Sequence, residues 1–365
     1  MKIGILTFHR AYNYGAVLQC YALKEVINHF GSDAQVIDYR QPDIERAYRY
    51  HSSFRWEQFK HYGVFKGLPY CIWCLYRDLK QIFIKYKKKS VFETFVKEHL
   101  NLSKPIINII PQDYDVYVIG SDMLWSDECM HGNFDSIYLG KFPHKGKIVG
   151  YAISGTPASF KKLGNQTGYK FLNKFEAISI REKKLAEIVK QYTDKEVFQC
   201  IDPTLLTTKE LWTSLINDKW KRKKYIVIYF LRKIDAGLKH RLIKFAKENH
   251  YEIVTIDVSP YANPITVEDF VSIISSSNYV VTDSFHGMIF SLIFERPFHA
   301  VKFNDPHDAR YVDVLQRIGL EDNAVNLDYT PFIPQINYLQ VKTKIDDFRS
   351  ESLNYLKENI CSKAH

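Results

Sequence analysis

Apolar and polar positions alternate along the chain in blocks that predict strands and helices in turn. Short apolar runs bounded by polar residues predict strands at 2–8, 34–39, 116–121, 147–154, 175–180 and 197–202. Between the first two runs, residues 14–30 carry apolar side chains near helical spacing, and Gly31 provides a stop. A strand, a helix and a second strand in succession predict a parallel sheet with helices on both faces.

The alternation starts again after a charged stretch at residues 219–224. Strands are predicted at 225–231, 252–257, 279–284 and 297–303, and helices near 235–249, 266–276, from 286, 308–318 and 345–360. We therefore predict an α/β fold of two Rossmann-like, doubly wound domains that face each other across a cleft. The predicted bounds are 1–212 with a helical insertion at about 45–105, then 213–340, then a C-terminal helix at 341–365.

One segment concentrates the positive charge of the chain. The 365 residues include 50 Lys and Arg against 41 Asp and Glu. Residues 51–90 alone hold nine basic, two acidic and ten aromatic residues. Such a composition is typical of a segment that lies on an anionic membrane surface, and also of a helical insertion that packs its aromatic side chains on the first domain. One local cluster without a known module argues against nucleic-acid binding.

The cysteines and the lengths of the apolar runs indicate the cellular location of the protein and whether it binds a metal. Cys71 and Cys74 form a pair without a second ligand pair, so we expect no metal site and reduced thiols. No apolar run reaches the roughly 18 residues of a membrane span, and the first residues do not resemble a signal peptide. These features predict a cytoplasmic protein.

Polar residues at the ends of predicted strands are the candidates for chemistry, because ligands of open α/β sheets bind there. Asn13 and Gly15 follow the first strand and favour either an anion at a helix start or a helix cap with close packing. Ser121, Asp122 and Trp125 follow another strand. Asp122 is suited to a sugar hydroxyl and Trp125 to a sugar face, unless the segment is a capped helix start with a core Trp.

The second group of candidates lies further along the chain. Arg181 ends a strand, and its planar guanidinium suits a carboxylate or phosphate, unless it forms a surface pair with the next residue. Asp283, Ser284 and His286 stand where a strand meets a helix. Ser284 and the helix start suit a phosphate, and His286 suits general acid or base catalysis, with a structural histidine as the alternative. Arg310 is a further candidate for the same cleft.

Several of these strand ends together resemble the polysaccharide pyruvyl transferase family. The matching stretches are NYGAVLQCYAL (13–23), DVYVIGSDMLW (115–125), ISIRE (178–182), DPTLL (202–206) and TDSFHGMIFSLIFERPF (282–298). The resemblance implies two Rossmann-like halves similar to those of GT-B glycosyltransferases. It also implies transfer of a pyruvyl group from phosphoenolpyruvate to a sugar, with a pyruvate ketal and phosphate as products and no cofactor or metal.

The resemblance assigns roles to individual residues. His286 matches the family's catalytic-type His, and Arg181 matches an Arg that contacts phosphoenolpyruvate. Asp283 is then expected to orient His286 or to act as a base on the sugar hydroxyl, while Ser121, Asp122 and Trp125 become acceptor candidates. The sequence departs from the family at one position, since better-known members have an Arg where Ser284 stands.

The missing Arg leaves one contact to the anionic donor to be supplied from elsewhere. We expect that contact from Arg310, from Lys302 or from the loop of Asn13 and Gly15, with Ser284 also beside the donor.

We therefore predict a pyruvyl transferase of capsule or exopolysaccharide synthesis. Its predicted acceptor is a sugar of a polysaccharide precursor that is carried on a lipid. Two alternatives stay open: a GT-B-type glycosyltransferase that uses a nucleotide sugar, and a non-catalytic scaffold of polysaccharide assembly, which Ser284 favours. The expected location is the cytoplasm, with segment 51–90 as the candidate contact to the inner face of the membrane. The acceptor sugar, the ketal position and the oligomeric state do not follow from the sequence.

Overall fold

Two parallel β-sheets form the frame of the protein, as a computed structural model shows. The structure describes residues 1–47, 76, 79, 82–107, 109–130, 132–221, 223–259 and 262–361. The first sheet has the strand order β2-β1-β3-β4-β5-β6. Its strands are β1 (Lys2–Leu6), β2 (Asp33–Val36), β3 (Val116–Asp122), β4 (Lys147–Ile153), β5 (Ala177–Ile180) and β6 (Val197–Gln199).

Helices follow the strands of the first sheet, and side-chain caps begin several of them. They are α1 (Tyr14–His29), α2 (Pro42–Ala47), α3 (82–99), α4 (Pro157–Thr167), α5 (Lys183–Val189), α6 (Pro203–Leu206) and α7 (Lys209–Thr213). Asn13, Thr156 and Asp202 each accept a hydrogen bond from a backbone N–H of the helix that they precede. Proline at the first position of α4 and α6 fits the helix start, because that position needs no N–H donor.

The second sheet repeats this plan with the strand order β11-β10-β9-β7-β8. Its strands are β7 (Tyr225–Phe230), β8 (Glu252–Asp257), β9 (Tyr279–Thr282), β10 (Phe298–Lys302) and β11 (Ala324–Asn326). Its helices are α8 (Ala236–Glu248), α9 (Val267–Ser276), α10 (Phe285–Ile293), α11 (Ala309–Ile318) and α12 (Tyr338–Cys361). Short 3₁₀ turns lie at Glu128–Met130, Ile137–Leu139, Lys170–Lys174, Lys190–Tyr192, Asp218–Trp220, Pro306–Asp308 and Glu321–Asn323.

Both sheets change direction at the same relative place. In the first sheet β1 lies between β2 and β3, and in the second β7 lies between β8 and β9, so the chain winds outward in both directions from β1 and from β7. Such switch points leave a crevice outside the carboxyl ends of the strands, where ligands bind. The prediction of two Rossmann-like, doubly wound halves is confirmed.

The C-terminal helix returns to the first sheet. Along α12, the Tyr355 hydroxyl donates to the carbonyl of Gly150 at 2.9 Å, and Ser352 accepts from the N–H of Ile201 at 2.9 Å. The helix therefore ties the end of the chain to the first half. The domain bounds 1–212, 213–340 and 341–365 stay a prediction, and most of the predicted insertion lies outside the described residues. Within the described part of the chain, no helix is long and apolar enough to cross a membrane.

Candidate active site

A cavity of about 410 Å³ lies between the two halves, at the switch points of both sheets. Its lining comes from the segments after β1, β3, β7 and β9 and from the start of α11. Four sequence-predicted groups meet here although they are up to about 300 positions apart in the chain. They are Asn13, Asp122, Ser284 with His286, and Arg310.

His286 occupies the first turn of α10 and reaches across to the first half. Its helix begins at Ser284, whose hydroxyl accepts from the N–H of Gly287 at 3.3 Å. The imidazole packs directly on Gly15, where a Cβ would lie only 1.9 Å from Nδ1 of the ring. Glycine is thus required at position 15 to admit the ring. Asn13 caps α1 by accepting from the N–H of Gly15 at 2.9 Å. Both residues therefore fit the alternative of a helix cap with close packing.

The two nitrogens of His286 have different surroundings. Nε2 is buried, makes no hydrogen bond within the described chain, and lies 3.7 Å from a carboxylate oxygen of Asp202. That distance is too long for a hydrogen bond but short for a charge interaction. Nδ1 also makes no hydrogen bond to the described residues, and it belongs to a side chain that lines the cavity. Neither ring nitrogen therefore has a hydrogen-bond partner among the described residues, and the imidazole is part of the cavity wall.

Arg181 does not line this cavity, and its guanidinium is bound by internal partners. It donates to Asp202 at 2.8 Å, to the Ser154 hydroxyl at 2.7 Å and to Glu182 at 3.1 Å, and it lies 4.5 Å from the ring centre of Phe285. Burial alone would lower the pKa of Arg181, but Glu182 and Asp202 raise it above its ordinary value. The expectation of a donor clamp is therefore corrected: Arg181 holds Asp202.

Asp202 links this buried arginine to the cavity. Its carboxylate also caps α6 by accepting from the N–H of Thr204 at 3.0 Å. Burial acts to raise the pKa of Asp202, but the positive charges of His286 and Arg181 and the cap hydrogen bond lower it well below its usual range. An ionised carboxylate thus stands behind His286.

Arg310 is the cation that faces the cavity without a counter-charge. Its Nε donates to the carbonyl of His307 at 3.2 Å, and one terminal nitrogen lies 3.3 Å from the sulfur of Met123. Among the described residues, no carboxylate comes within 4.0 Å of its guanidinium. Burial and repulsion from Arg181 lower the pKa of Arg310. The charges of Glu182 and Asp122 act in the opposite direction. Since no carboxylate pairs directly with Arg310, an anion in the cavity would supply its nearest counter-charge, which makes this guanidinium the best candidate for anion binding here.

Asp283 serves Arg232 rather than His286. Its carboxylate accepts from the backbone N–H groups of Leu231 at 2.6 Å and Arg232 at 3.1 Å, and from Nε of Arg232 at 2.8 Å. Arg232 also contacts Asp305 and Asp308. The expected pairing of Asp283 with His286 is therefore corrected, because this carboxylate accepts from Leu231 and Arg232 instead. Asp283 does line the cavity, and its other expected role, as a base on the sugar hydroxyl, stays a prediction. With three carboxylates around it, Arg232 is a poorer anion ligand than Arg310.

Of the three residues predicted to bind the sugar acceptor, two are buried and one lines the cavity. Trp125 is fully buried, packs beside Phe160 and donates to the carbonyl of Tyr138 at 3.3 Å. Ser121 is equally buried and donates to the carbonyl of Ala152 at 3.0 Å. Neither can reach a sugar, which corrects both expectations. Asp122 does line the cavity, and its φ of 83° is a left-handed conformation that is uncommon outside glycine.

Two residues of this site are absent from the sequence-based candidates. Asp202 lies in the matching stretch 202–206, and it follows a strand of the first sheet, so the strand-end rule could have found it. Arg232 follows β7 directly and could have been found by the same rule. Within the described residues, no three His, Cys, Asp or Glu side chains are placed to hold a metal ion.

The family model for polysaccharide pyruvyl transferase matches residues 13–304, which is most of the chain. The chain belongs to that family. The matched range contains the cavity residues from Asn13 to His286 and ends before Arg310. No curated protein matches the chain.

Three solved structures with a similar course of the chain are distant in sequence. UDP-GlcNAc 2-epimerase from Methanocaldococcus jannaschii is 9% identical, with 95% of this chain and 92% of that chain covered and a TM-score of 0.45. The heptosyltransferase WaaC from E. coli is 11% identical, with 95% and 100% covered and a TM-score of 0.41. UGT89C1 from Arabidopsis thaliana is 9% identical, with 99% of each chain covered and a TM-score of 0.43. Likeness at this level carries no conclusion about substrate.

Proposed function

We propose that the protein transfers a pyruvyl group from phosphoenolpyruvate to a sugar of a polysaccharide precursor carried on a lipid, forms a pyruvate ketal and releases phosphate. One observation carries the proposal. A guanidinium without a counter-charge, Arg310, and an imidazole with a free nitrogen, His286, line the same cavity between the two halves. Together they suit a small donor that is both anionic and in need of a proton.

The proposal gives one task to Arg310 and one to His286. Arg310 binds the carboxylate or phosphate of the donor and holds its position. Protonated His286 gives a proton to C3 as a sugar hydroxyl attacks C2, a contribution of about 10²–10⁴-fold to the rate. A second hydroxyl then bonds to C2 and phosphate leaves. Of the two hydroxyl protons, one restores that of His286 and the other leaves with phosphate, so the step balances.

Asp202 and Arg181 act through His286. The negative charge of Asp202 at 3.7 Å stabilises the imidazolium, and the hydrogen bond from Arg181 at 2.8 Å keeps that carboxylate in place. Neither residue lines the cavity. They are therefore positioning residues. The sugar acceptor is expected on the side of the cavity where Asp122 lies.

Ligand stabilisation separates this proposal from its alternatives. A ligand at 100 times its Kd raises the free energy of unfolding by about 2.7 kcal/mol. Phosphoenolpyruvate should therefore raise Tm, whereas a nucleotide sugar such as UDP-glucose should not. The opposite result would support the glycosyltransferase. Binding of neither would support the scaffold that Ser284 favours.

Variants then divide binding from chemistry. Arg310→Gln should weaken phosphoenolpyruvate binding at least tenfold, because it removes the charge that meets the donor. Arg317→Gln is the matched control, since Arg317 lies on the same helix and pairs with Glu351 outside the cavity. His286→Asn should retain donor binding and lose phosphate release with a galactoside acceptor, supplied both on a lipid carrier and as the methyl glycoside. Equal donor affinities for Arg310→Gln and Arg317→Gln would refute the assignment.

A further inference from the structure

One face of the helical region before residue 100 exposes large apolar side chains to solvent. Tyr76, Leu79, Phe83 and Tyr86 are each between 57% and 66% exposed. Residues 76 and 79 are helical, and the other two lie in α3. Phe83 and Tyr86 are three positions apart in α3 and therefore lie on one side of it, and the sequence spacing of Tyr76 and Leu79 matches the same side by helical periodicity. We call these four residues the outer aromatic face.

The opposite side of α3 is already used by the fold. Ile84, Phe92 and Phe95 are buried, and Phe92 and Phe95 belong to the hydrophobic core that includes α1. Anchoring of α3 therefore does not depend on the outer aromatic face. Single exposed apolar residues are common, but a cluster of four large ones is typical of an interaction surface.

The charges beside this face indicate the nature of that partner. Lys85, Lys87 and Lys89 lie on the same helix, and Lys87 is exposed without a carboxylate within 4.0 Å in the described chain. Lys89 is the member of the group that lies near an acid, at 3.7 Å from Glu93. Aromatic rings with lysines beside them suit an interface where the rings enter the headgroup region and the ammonium groups meet lipid phosphates. A convex helix face also fits a flat surface.

We propose that the outer aromatic face docks the protein on the surface of an anionic phospholipid bilayer. The proposal is independent of the pyruvyl transfer reaction. Docking through this face would bring the membrane close to a second cavity of about 290 Å³, because Lys88 on the other side of α3 lines that cavity. That cavity shares Asn13 and Leu231 with the candidate active site. The bilayer would then lie about one helix diameter, roughly 10–12 Å, from the second cavity.

Vesicle flotation with the full chain tests the proposal. Wild-type protein should float with anionic vesicles that contain phosphatidylglycerol and phosphatidylcholine in roughly equal amounts. It should not float with vesicles of phosphatidylcholine alone. Phe83→Ser with Tyr86→Ser should lower binding at least about tenfold, because both rings lose their place in the interface. Phe332→Ser with Leu339→Ser is the matched control, since these side chains are 55% and 79% exposed elsewhere on the surface.

The lysines supply a second, independent readout. Lys85→Gln with Lys87→Gln should weaken binding about tenfold at low salt, and the loss should shrink as salt screens the charges. Phe83, Tyr86 and Lys87 are exposed and Lys85 is only partly buried, so Tm should stay near wild type.

Three outcomes would overturn the proposal. Wild-type protein fails to float with the anionic vesicles, the Phe83 and Tyr86 variant floats as well as the control, or the same variant loses a self-association that light scattering detects while vesicle binding is unchanged. The last outcome would show that a second copy of the chain covers this face.

Discussion

Gly15 offers the most direct test of the proposed site, because a single methyl group there meets His286, the proposed proton donor. In Gly15→Ala the new Cβ would lie 1.9 Å from Nδ1 of His286, 2.4 Å from Cγ and 2.5 Å from Cε1. Non-bonded carbon atoms settle at about 3.5–4.0 Å, so the imidazole or the start of α1 must move by more than 1 Å.

Two magnitudes follow from that displacement. Adding a methyl group to a packed site costs about 1–3 kcal/mol, partly offset by the gain of about 0.5–1 kcal/mol when a helical Gly becomes Ala. We therefore expect a modest loss of stability, up to about 2 kcal/mol. A misplacement of about 1 Å of a reacting group costs on the order of 10²-fold in rate. Gly15→Ala should thus lower kcat for phosphate release about 100-fold in a protein that remains folded.

Gly237→Ala is the matched control. Gly237 is also the second residue of its helix, and a Cβ there would meet only side-chain atoms of Asp235 and Arg241, at 3.0 and 3.3 Å. It should leave kcat unchanged. Combining Gly15→Ala with His286→Asn tests the cause, because two changes that act through one imidazole cost less together than their sum. A kcat within twofold of wild type for folded Gly15→Ala, or additive costs in the double variant, would refute the reasoning.

Three further outcomes follow from the buried charges and the core. Arg181→Ala should lower the free energy of unfolding by about 3–5 kcal/mol in urea titrations, because it leaves Asp202 and Glu182 without their cation; a folded variant with wild-type stability would contradict this. Trp125→Ala should cost about 3–5 kcal/mol and leave the acceptor KM unchanged in the folded fraction. Because the folded-state pKa of Asp202 is lowered, its stabilisation is present above the unfolded pKa of about 3.9 and is lost as the pH falls further, so Asp202→Asn should flatten the fall in stability below about pH 4.

Most of the fold was predictable, because strands of parallel sheets are buried on both faces and read as continuous apolar runs. β7 is buried at every position, and the prediction at 225–231 matches Tyr225–Phe230 closely. The strand-end rule then located the cavity, since Asn13, Asp122 and His286 all follow strands. The edge strand β11, Ala324–Asn326, was missed because it has three residues and no apolar run.

The roles of the charged residues were less predictable. Arg181 and Arg310 both stand near strand ends, and local spacing does not show which one faces the cavity. The difference arises from Asp202, which lies 21 positions from Arg181 in sequence but 2.8 Å away in space. Such a partner depends on the pairing of β5 with β6, which only the fold reveals. The prediction that Trp125 contacts a sugar was wrong for a similar reason, since the burial of Trp125 depends on helices that follow it in the chain.

The arrangement also explains why Ser284 does not by itself remove the activity expected of the family. Ser284 is 3% exposed and begins α10, so an Arg in its place would lose the cap and need a new position for its side chain. In the proposed reaction the anion contact is made by Arg310, which belongs to the same half as His286. The first half supplies Gly15 and Asp202, which pack on and stabilise the imidazole. Since moving the halves apart would take both away from His286, the complete site exists only where the two halves meet, and neither half alone should release phosphate from phosphoenolpyruvate.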